Sequence, residues 1–388
     1  MTYELLFCGG RGVTNVTKRP ESVSSFSLHR HQLEPIRVGV IGIGNMGQHH
    51  VRVLSLMKDV KLIGVSDVNL DCGIETASRY QTRFFEDYHE LLLHADAVCI
   101  AVPTRFHHAV GLAALKAGVH VLIEKPIAAT ISEAESLVNA AATEGCILQV
   151  GHIERFNPVF QELSNVMKTE EIIALEAHRM SPYCDRANDV SVVLDLMIHD
   201  IDLVLELAKS PVVHLTASGS RASQTSQYLD YVTATLGFAN GIVATLTASK
   251  ITHRKIRRIS AHTKRSLTEA DFLNNEIQIH RQSVNTHSGS GIAINNAVSF
   301  GMPNFYHQDG IIEKVAIGRV EPLHAELEHF MACVRGGLPP SVGGEQALKA
   351  LRLASLIEQM AMDGQVWQPI DLGDGAIETP MMAVQQAV

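Results

Sequence analysis

A chain of 388 residues with 46% hydrophobic content and a formal charge of −9 is long enough for two domains with substantial cores, and it excludes a small stapled scaffold. The mild acidity and the absence of long Lys/Arg runs argue against a nucleic-acid surface. The basic stretch His253-Arg-Lys-Ile-Arg-Arg258 reads as a solvated strand edge, with a phosphorylated ligand as the alternative. Cys8, Cys72, Cys99, Cys146, Cys184 and Cys333 form no C-x-x-C pair and no cluster at zinc-ligand spacing, so a reducing cytoplasm and no metal are expected. His49-His50 and His107-His108 are not read as metal pairs, because adjacent side chains on a helix point apart. The longest apolar stretch, Val192 to Leu205, is interrupted by Asp195, His199, Asp200 and Asp202, and no membrane partner is expected.

Residues 1–34 are rich in Ser, Thr, Arg and His without sustained periodicity and read as a flexible extension. Ile36-Arg-Val-Gly-Val-Ile-Gly-Ile-Gly-Asn-Met-Gly47 then runs an apolar strand into Gly42-x-Gly44-x-x-Gly47. A strand that ends in this spacing and opens a helix cradles a dinucleotide pyrophosphate. Gly42 permits the tight turn, Gly44 lets the backbone approach the phosphates, and Gly47 lets helix and strand pack closely. Asn45 and Met46 belong to the same turn, where the helix start offers free N–H groups. The next apolar run, Val60 to Ser66, ends at Asp67, where a carboxylate accepts both adenosine ribose hydroxyls and repels a 2′-phosphate. NAD is therefore expected ahead of NADP.

Further along, helices are expected over Asp71–Tyr80, Tyr88–Leu93, His107–Ala117 and Ser132–Glu144, with a short segment around Phe84. Strands at Ala97–Val102, His120–Ile123 and Ile147–Val150 alternate with them, which predicts a doubly wound parallel sheet of the Rossmann type over residues 35–152. Beyond Gly151 the strands follow one another, at Ile172–His178, Val212–Ser218, Tyr231–Phe238 and Ile242–Ala248, with further β-prone runs near Arg258 and Ile277. The last two of the long runs flank Ala239-Asn240-Gly241, a short-loop hairpin signal in which Asn and Gly both tolerate positive φ. An α+β second domain over 153–375, with a mainly antiparallel sheet for substrate and oligomer contacts, is the expectation. Residues 282–310 read as an irregular excursion, and 376–388 as a tail. Helices over Pro322–Val334 and Gln346–Ala361 are expected to complete the core and to pack back on the Rossmann domain.

Two motifs fall at the carboxyl edge of the parallel sheet, where open α/β sheets bind ligands. Pro103, Thr104 and His107 follow one strand, and Glu124-Lys125-Pro126 follows another. A lysine there can polarise a substrate oxygen or hold a developing alkoxide; a solvated lysine before a turn proline is the plain alternative. Asp195-Leu-Met-Ile-His199-Asp200-Ile-Asp202 reads as helix, with Asp195 and His199 four apart on one face. A histidine near carboxylates is a general base whose protonated form they stabilise, or else part of a structural His–Asp cluster.

Gly42-x-Gly44-x-x-Gly47, Pro103-Thr104-x-x-His107, Glu124-Lys125-Pro126 and Asp195-x-x-x-His199 occur in order and at spacings that resemble the glucose-fructose oxidoreductase, inositol dehydrogenase and MocA family, from about Arg37 to Ile370. The resemblance implies a Rossmann domain and an open antiparallel sheet through which homodimers or homotetramers form. It also implies NAD(P)-dependent redox chemistry at a sugar or cyclitol carbon, with Lys125, Asp195 and His199 at the catalytic positions. Gly151-His-Ile-Glu-Arg155-Phe-Asn157-Pro158 and the segment around Asp195 look like the branch acting on nucleotide-linked amino sugars. Oxidation of UDP-N-acetylglucosamine at C3, ahead of a transaminase that feeds lipid A synthesis, is the reaction this implies, with Arg155, Asn157 and Arg186 as substrate contacts. The alternatives are oxidation of a free cyclitol or a UDP-sugar uronic acid, and a non-catalytic NAD-sensing or partner-binding protein.

Overall fold

The computed structural model describes residues 34–182, 191–222, 227–282, 310–363 and 368–369. The N-terminal extension up to residue 33, Arg186, most of the 282–310 segment and the 376–388 tail lie outside them. From Ile36 the chain alternates strand and helix: β1 (Ile36–Ile41), α1 (Asn45–Leu54), β2 (Val60–Ser66), α2 (Leu70–Arg79) and β3 (Arg83–Phe85). It continues through α3 (Tyr88–Leu92), β4 (Ala97–Ile100), α4 (His107–Lys116), β5 (His120–Glu124), α5 (Ile131–Glu144) and β6 (Leu148–Gly151). The strands lie parallel in the order β3-β2-β1-β4-β5-β6, as the alternation predicts. The order reverses between β1 and β4, so their carboxyl ends frame the crevice where such sheets bind ligands. β4 is buried at every residue, which is why its sequence is an unbroken apolar run rather than an alternating one.

Local chemistry sets the helix ends. Asn69 caps α2 by accepting from the Cys72 N–H. Thr130 and Glu133 form a reciprocal capping box at the start of α5, and Gly145 ends that helix with φ +65°.

The second half holds α6 (Pro158–Met167), β7 (Ile172–Met180), a π-turn (Val193–Met197), α7 (Ile198–Ala208), β8 (Val212–Ser220), β9 (Tyr231–Phe238) and β10 (Val243–Ser249). β11 (Ile256–Thr263), β12 (Ser266–Asp271), β13 (Glu276–Gln282), β14 (Gly310–Val315), α8 (Pro322–Gly336), α9 (Gly344–Asp363) and β15 (Gln368–Pro369) follow. Its sheet runs β14-β13-β12-β11-β7-β10-β9-β8-β15 and is antiparallel except where β7 meets β10. β12, β14 and β15 extend the sheet beyond the strands expected from sequence. In the β9–β10 turn only Gly241 takes positive φ, at +88°, so Asn240 does not use the freedom expected of it.

Leu175 and Ala177 of β7, Leu236 of β9 and Leu246 of β10 share a core with α6, α7 and α9. The opposite face, with Glu176, His178, Thr233, Thr235 and Thr245, is part-exposed. The last two helices reach back to the parallel sheet. Leu327 and Phe330 of α8 pack with Val38, Val40 and Val51, while Leu348 and Leu351 of α9 pack with Leu137 and Val150.

Candidate active site

A cleft of about 790 Å³ lies along the carboxyl edge of the parallel sheet. Gly42, Gly44, Met46, Asp67, Pro103, Thr104, His107, Glu124 and Lys125 all line it. Asn45 and Gly47 are at the start of α1 but do not contribute to its wall. The three glycines differ in what they permit. Gly42 has φ +89°, and a Cβ there would meet the Ala101 carbonyl carbon at 2.7 Å; a Cβ at Gly47 would meet the Gly42 carbonyl oxygen at 1.9 Å. At Gly44 nothing lies within 4 Å of an added Cβ, so the room there is open to a ligand. No side chain caps α1 and no acid occupies its first turn, which leaves its N–H groups and the positive end of its dipole facing that room. These features fit a dinucleotide pyrophosphate. Asp67, at the end of β2, is held by the Ile43 N–H at 2.5 Å and the Asn69 N–H at 2.8 Å, so its carboxylate is fixed beside the glycine turn.

Two histidines brace this cleft from behind. The His107 ring lies between the carbonyl oxygens of Pro126, 2.8 Å from Nδ1, and Val102, 2.9 Å from Nε2, and so ties the loops after β4 and β5 together. Burial lowers its pKa against the pull of those carbonyls. His50, fully buried on α1, approaches Glu124 Oε1 with Nε2 at 2.9 Å. The neighbouring His108 instead meets Ser136, so adjacent histidines do diverge. Glu124 also explains Gly151, where an added Cβ would lie 3.0 Å from its Oε2.

At the Lys125 end the two sheets meet. Lys125 Nζ donates to the Asp195 carbonyl at 2.7 Å and lies 3.7 Å from its carboxylate. Lys250, at the end of β10, reaches the other carboxylate oxygen at 3.2 Å. Sequence reasoning missed Lys250; only the register of β10 against β7 brings it here. Burial lowers the Lys125 pKa, opposed by Asp195 and Glu124 and reinforced by Arg179 and Lys250.

The segment around Asp195 departs from a plain helix. Its π-turn precedes α7, a local widening that often accompanies functional sites. Asp195 faces the lysines, Asp200 accepts from Arg179 at 2.8 and 3.0 Å, and Asp202 accepts from Arg155 at 2.6 and 2.9 Å. No carboxylate bonds the His199 ring among the described residues, and Nδ1 has no partner. The ring pKa is depressed well below normal by burial, then by Lys125, Arg179, His152 and Arg257. This corrects the expectation that carboxylates stabilise a protonated His199: the surroundings hold it neutral.

Arg155 and Asn157 have other partners. Arg155 is buried and engages Asp202 and Glu206. Asn157 caps α6 by accepting from the Val159 N–H at 3.0 Å and donates to Glu154 at 3.0 Å. Their donors are thus committed within the protein rather than aimed into the cleft. A buried ion network beneath the site joins Arg179 to Glu154 and Asp200, with Arg257 3.5 Å from Glu154.

With this arrangement in view, the chain belongs to the Gfo/Idh/MocA family of oxidoreductases. Residues 36–152 match the oxidoreductase family's NAD-binding Rossmann fold, and residues 170–267 match the GFO/IDH/MocA C-terminal domain. UDP-N-acetylglucosamine 3-dehydrogenase of Acidithiobacillus ferrooxidans is 34% identical over 318 residues, covering 81% of this chain and 95% of that protein. A solved structure of that enzyme superposes with a TM-score of 0.75 at 32% identity, covering 85% of this chain and 99% of the other. Myo-inositol 2-dehydrogenase of Thermotoga maritima is 24% identical, covering 82% of this chain and 94% of that protein. No described helix is long and apolar enough to cross a membrane.

Proposed function

We propose that the chain is an NAD-dependent dehydrogenase that oxidises C3 of UDP-N-acetylglucosamine to a 3-keto sugar, for later transamination toward lipid A. The observation that carries this reading is the Lys125–Asp195–Lys250 cluster with neutral His199, at the end of a cleft suited to a dinucleotide. The 34% identity to a UDP-N-acetylglucosamine 3-dehydrogenase supports the choice of sugar. Gly42, Gly44 and the start of α1 hold the pyrophosphate, and Asp67 accepts the ribose hydroxyls and disfavours NADP. Bound NAD supplies the hydride acceptor.

The protein's own groups manage charge and protons. His199 takes the C3 hydroxyl proton, a role that requires the neutral ring its surroundings favour. Lys125 donates to the developing oxyanion. Asp195 positions both lysines by its contact with each and opposes the lowering of the Lys125 pKa by burial. Arg179, locked between Glu154 and Asp200, fixes α7 and with it His199. The reading further makes the protein a cytoplasmic homo-oligomer whose part-exposed sheet face meets a second copy, which light scattering checks against the 42.3 kDa chain mass.

The deciding experiment is incubation with UDP-N-acetylglucosamine and NAD, followed by mass spectrometry with a companion transaminase to trap the product. A sugar two hydrogens lighter, formed with NADH, is expected. Turnover of a free cyclitol instead, with none of the nucleotide sugar, would sink the substrate assignment. Parallel calorimetric titrations with NAD and NADP check the cofactor preference.

A further inference from the structure

Behind His199 three buried imidazole nitrogens have no hydrogen-bond partner among the described residues: His199 Nδ1 and both nitrogens of His152. His152 follows β6 and is only 1% exposed. Its ring stands edge-on to that of His199, with centroids 6.5 Å apart. That is too far for a direct ring-to-ring hydrogen bond, and a bridging water is the ordinary link between imidazole nitrogens held at such a separation. His152 Nδ1 lies 3.8 Å from Asp202 Oδ2, an ion-pair distance rather than a hydrogen bond, and that oxygen accepts from Arg155 Nε at 2.6 Å. Asp202 in turn lines a surface cavity of about 330 Å³ with Arg155, Glu206 and the exposed Lys209. This cavity shares no lining residue with the dinucleotide cleft.

We propose that His152 relays the proton taken up by His199 to solvent in the cavity beside the Arg155–Asp202 pair. The proposal rests on the assignment of His199 as general base. Oxidation of a secondary alcohol sends the C–H electron pair to NAD as hydride, turns the O–H pair into the C=O bond, and leaves one proton to discharge. On the proposed function the cofactor and sugar occupy the cleft side of His199, and the proton leaves by the other side. His199 accepts it on one nitrogen and releases one from Nδ1. His152 accepts on one nitrogen and releases from Nδ1 to solvent in that cavity, drawn past the Asp202 carboxylate while both its oxygens stay with Arg155, and both rings return to neutral.

The charges facing this pair suit a transient carrier rather than a resting cation. Glu124 ends β5 and Lys125 follows it, Arg155 comes from the turn after β6 and Asp202 from α7. Arg179 and Arg257 come from the second sheet and His199 sees both. Burial lowers the His152 pKa, with Asp202 opposing and Arg155 and Lys125 reinforcing, so the ring rests neutral.

The test compares His152→Ala, His152→Gln and His199→Ala in the full chain, oxidising UDP-N-acetylglucosamine at saturating NAD. In His152→Ala, kcat is expected to fall about 100-fold with KM little changed. Imidazole in the buffer should restore much of the rate, and the solvent deuterium isotope effect on kcat should grow. His152→Gln, which fills the space without carrying a proton, should lose the same rate and resist rescue. A raised KM at unchanged kcat, or no response to imidazole, overturns the relay. If His199→Ala keeps the parent rate, the general-base assignment fails and the relay with it. If His199→Ala is inactive while both His152 variants keep rate and isotope effect, the relay alone fails. Histidine-ring 15N shifts of the ligand-free chain give an arm independent of substrate: His152→Gln should move the His199 titration midpoint upward, and an unmoved midpoint counts against the coupling.

Discussion

Gly44 and Gly47 are three residues apart, yet substitution should fail at them for different reasons. At Gly47 the added methyl meets backbone, which cannot move aside cheaply. Gly47→Ala is expected to lose about 1–3 kcal/mol in urea denaturation, as overpacked sites do, and to weaken NAD binding at least as a secondary effect. At Gly44 the methyl meets nothing and φ is −71°, so Gly44→Ala should stay within about 0.5 kcal/mol of the parent. Its loss should show only in calorimetric titration with NAD, because the methyl takes the room of the phosphates. Equal destabilisation in the two variants would refute this division. The glycine spacing, Asp67 and Lys125 were legible because each sits at the end of a strand whose apolar run is itself visible. Lys250 and His152 were not, since Lys250 carries no motif and His152 sits inside one read for its neighbours. The pairing of Arg155 was hidden for the same reason: its carboxylate partners lie 47 and 51 residues on in the chain.

Among elements, the parallel half was read closely from periodicity, with strand ends shifted by one or two residues. Buried strands and capped helices follow from local chemistry, and α5 is the clearest instance. Removing its capping box with Thr130→Ala should cost about 1 kcal/mol in thermal or urea unfolding, while Thr130→Ser should restore most of it. A variant at parent stability would mean that packing alone sets this helix start. The antiparallel half was read less completely. β14 pairs with β13 across the segment from 283 to 309, and β15 pairs with β8 from more than a hundred residues away. Short edge strands of this kind carry little signal, because pairing partners and not composition define them. The π-turn was equally hidden: Asp195 and His199 have helical spacing, but one wider turn sends Asp195 to the lysines while α7 sends Asp200 and Asp202 to arginines.

Over the whole molecule, buried titratable groups set opposing pH dependences. His152 and His199 are held neutral by burial, whereas in the unfolded chain they protonate below about 6.5. Their contribution is intact above that pH and is lost as pH falls toward their lowered folded values. Glu326 on α8 acts in the other direction. It is fully buried with neither carboxyl oxygen partnered among the described residues, and burial raises its pKa well above the usual range. In the unfolded chain it ionises above about 4.3, so its contribution is intact at low pH and is lost as pH rises through the folded value. Glu326→Gln is therefore expected to raise the melting temperature more at pH 8 than at pH 5, leaving the acid-side decline in place. Scanning calorimetry at the two pH values checks it, and an equal shift at both would show that Glu326 is not the alkaline-side liability.

α9 has one more consequence. Ala347, Leu348 and Leu351 are embedded in the packing of the parallel sheet, while Ala350, Leu353 and Ile357 are embedded in that of the antiparallel one. A single rigid rod thus anchors in both bodies, and Lys125 from one and Asp195 from the other are surveyed to a common datum. The spacing between the segments that carry Lys125 and Asp195 is thereby set by core packing in both halves rather than by the loops alone.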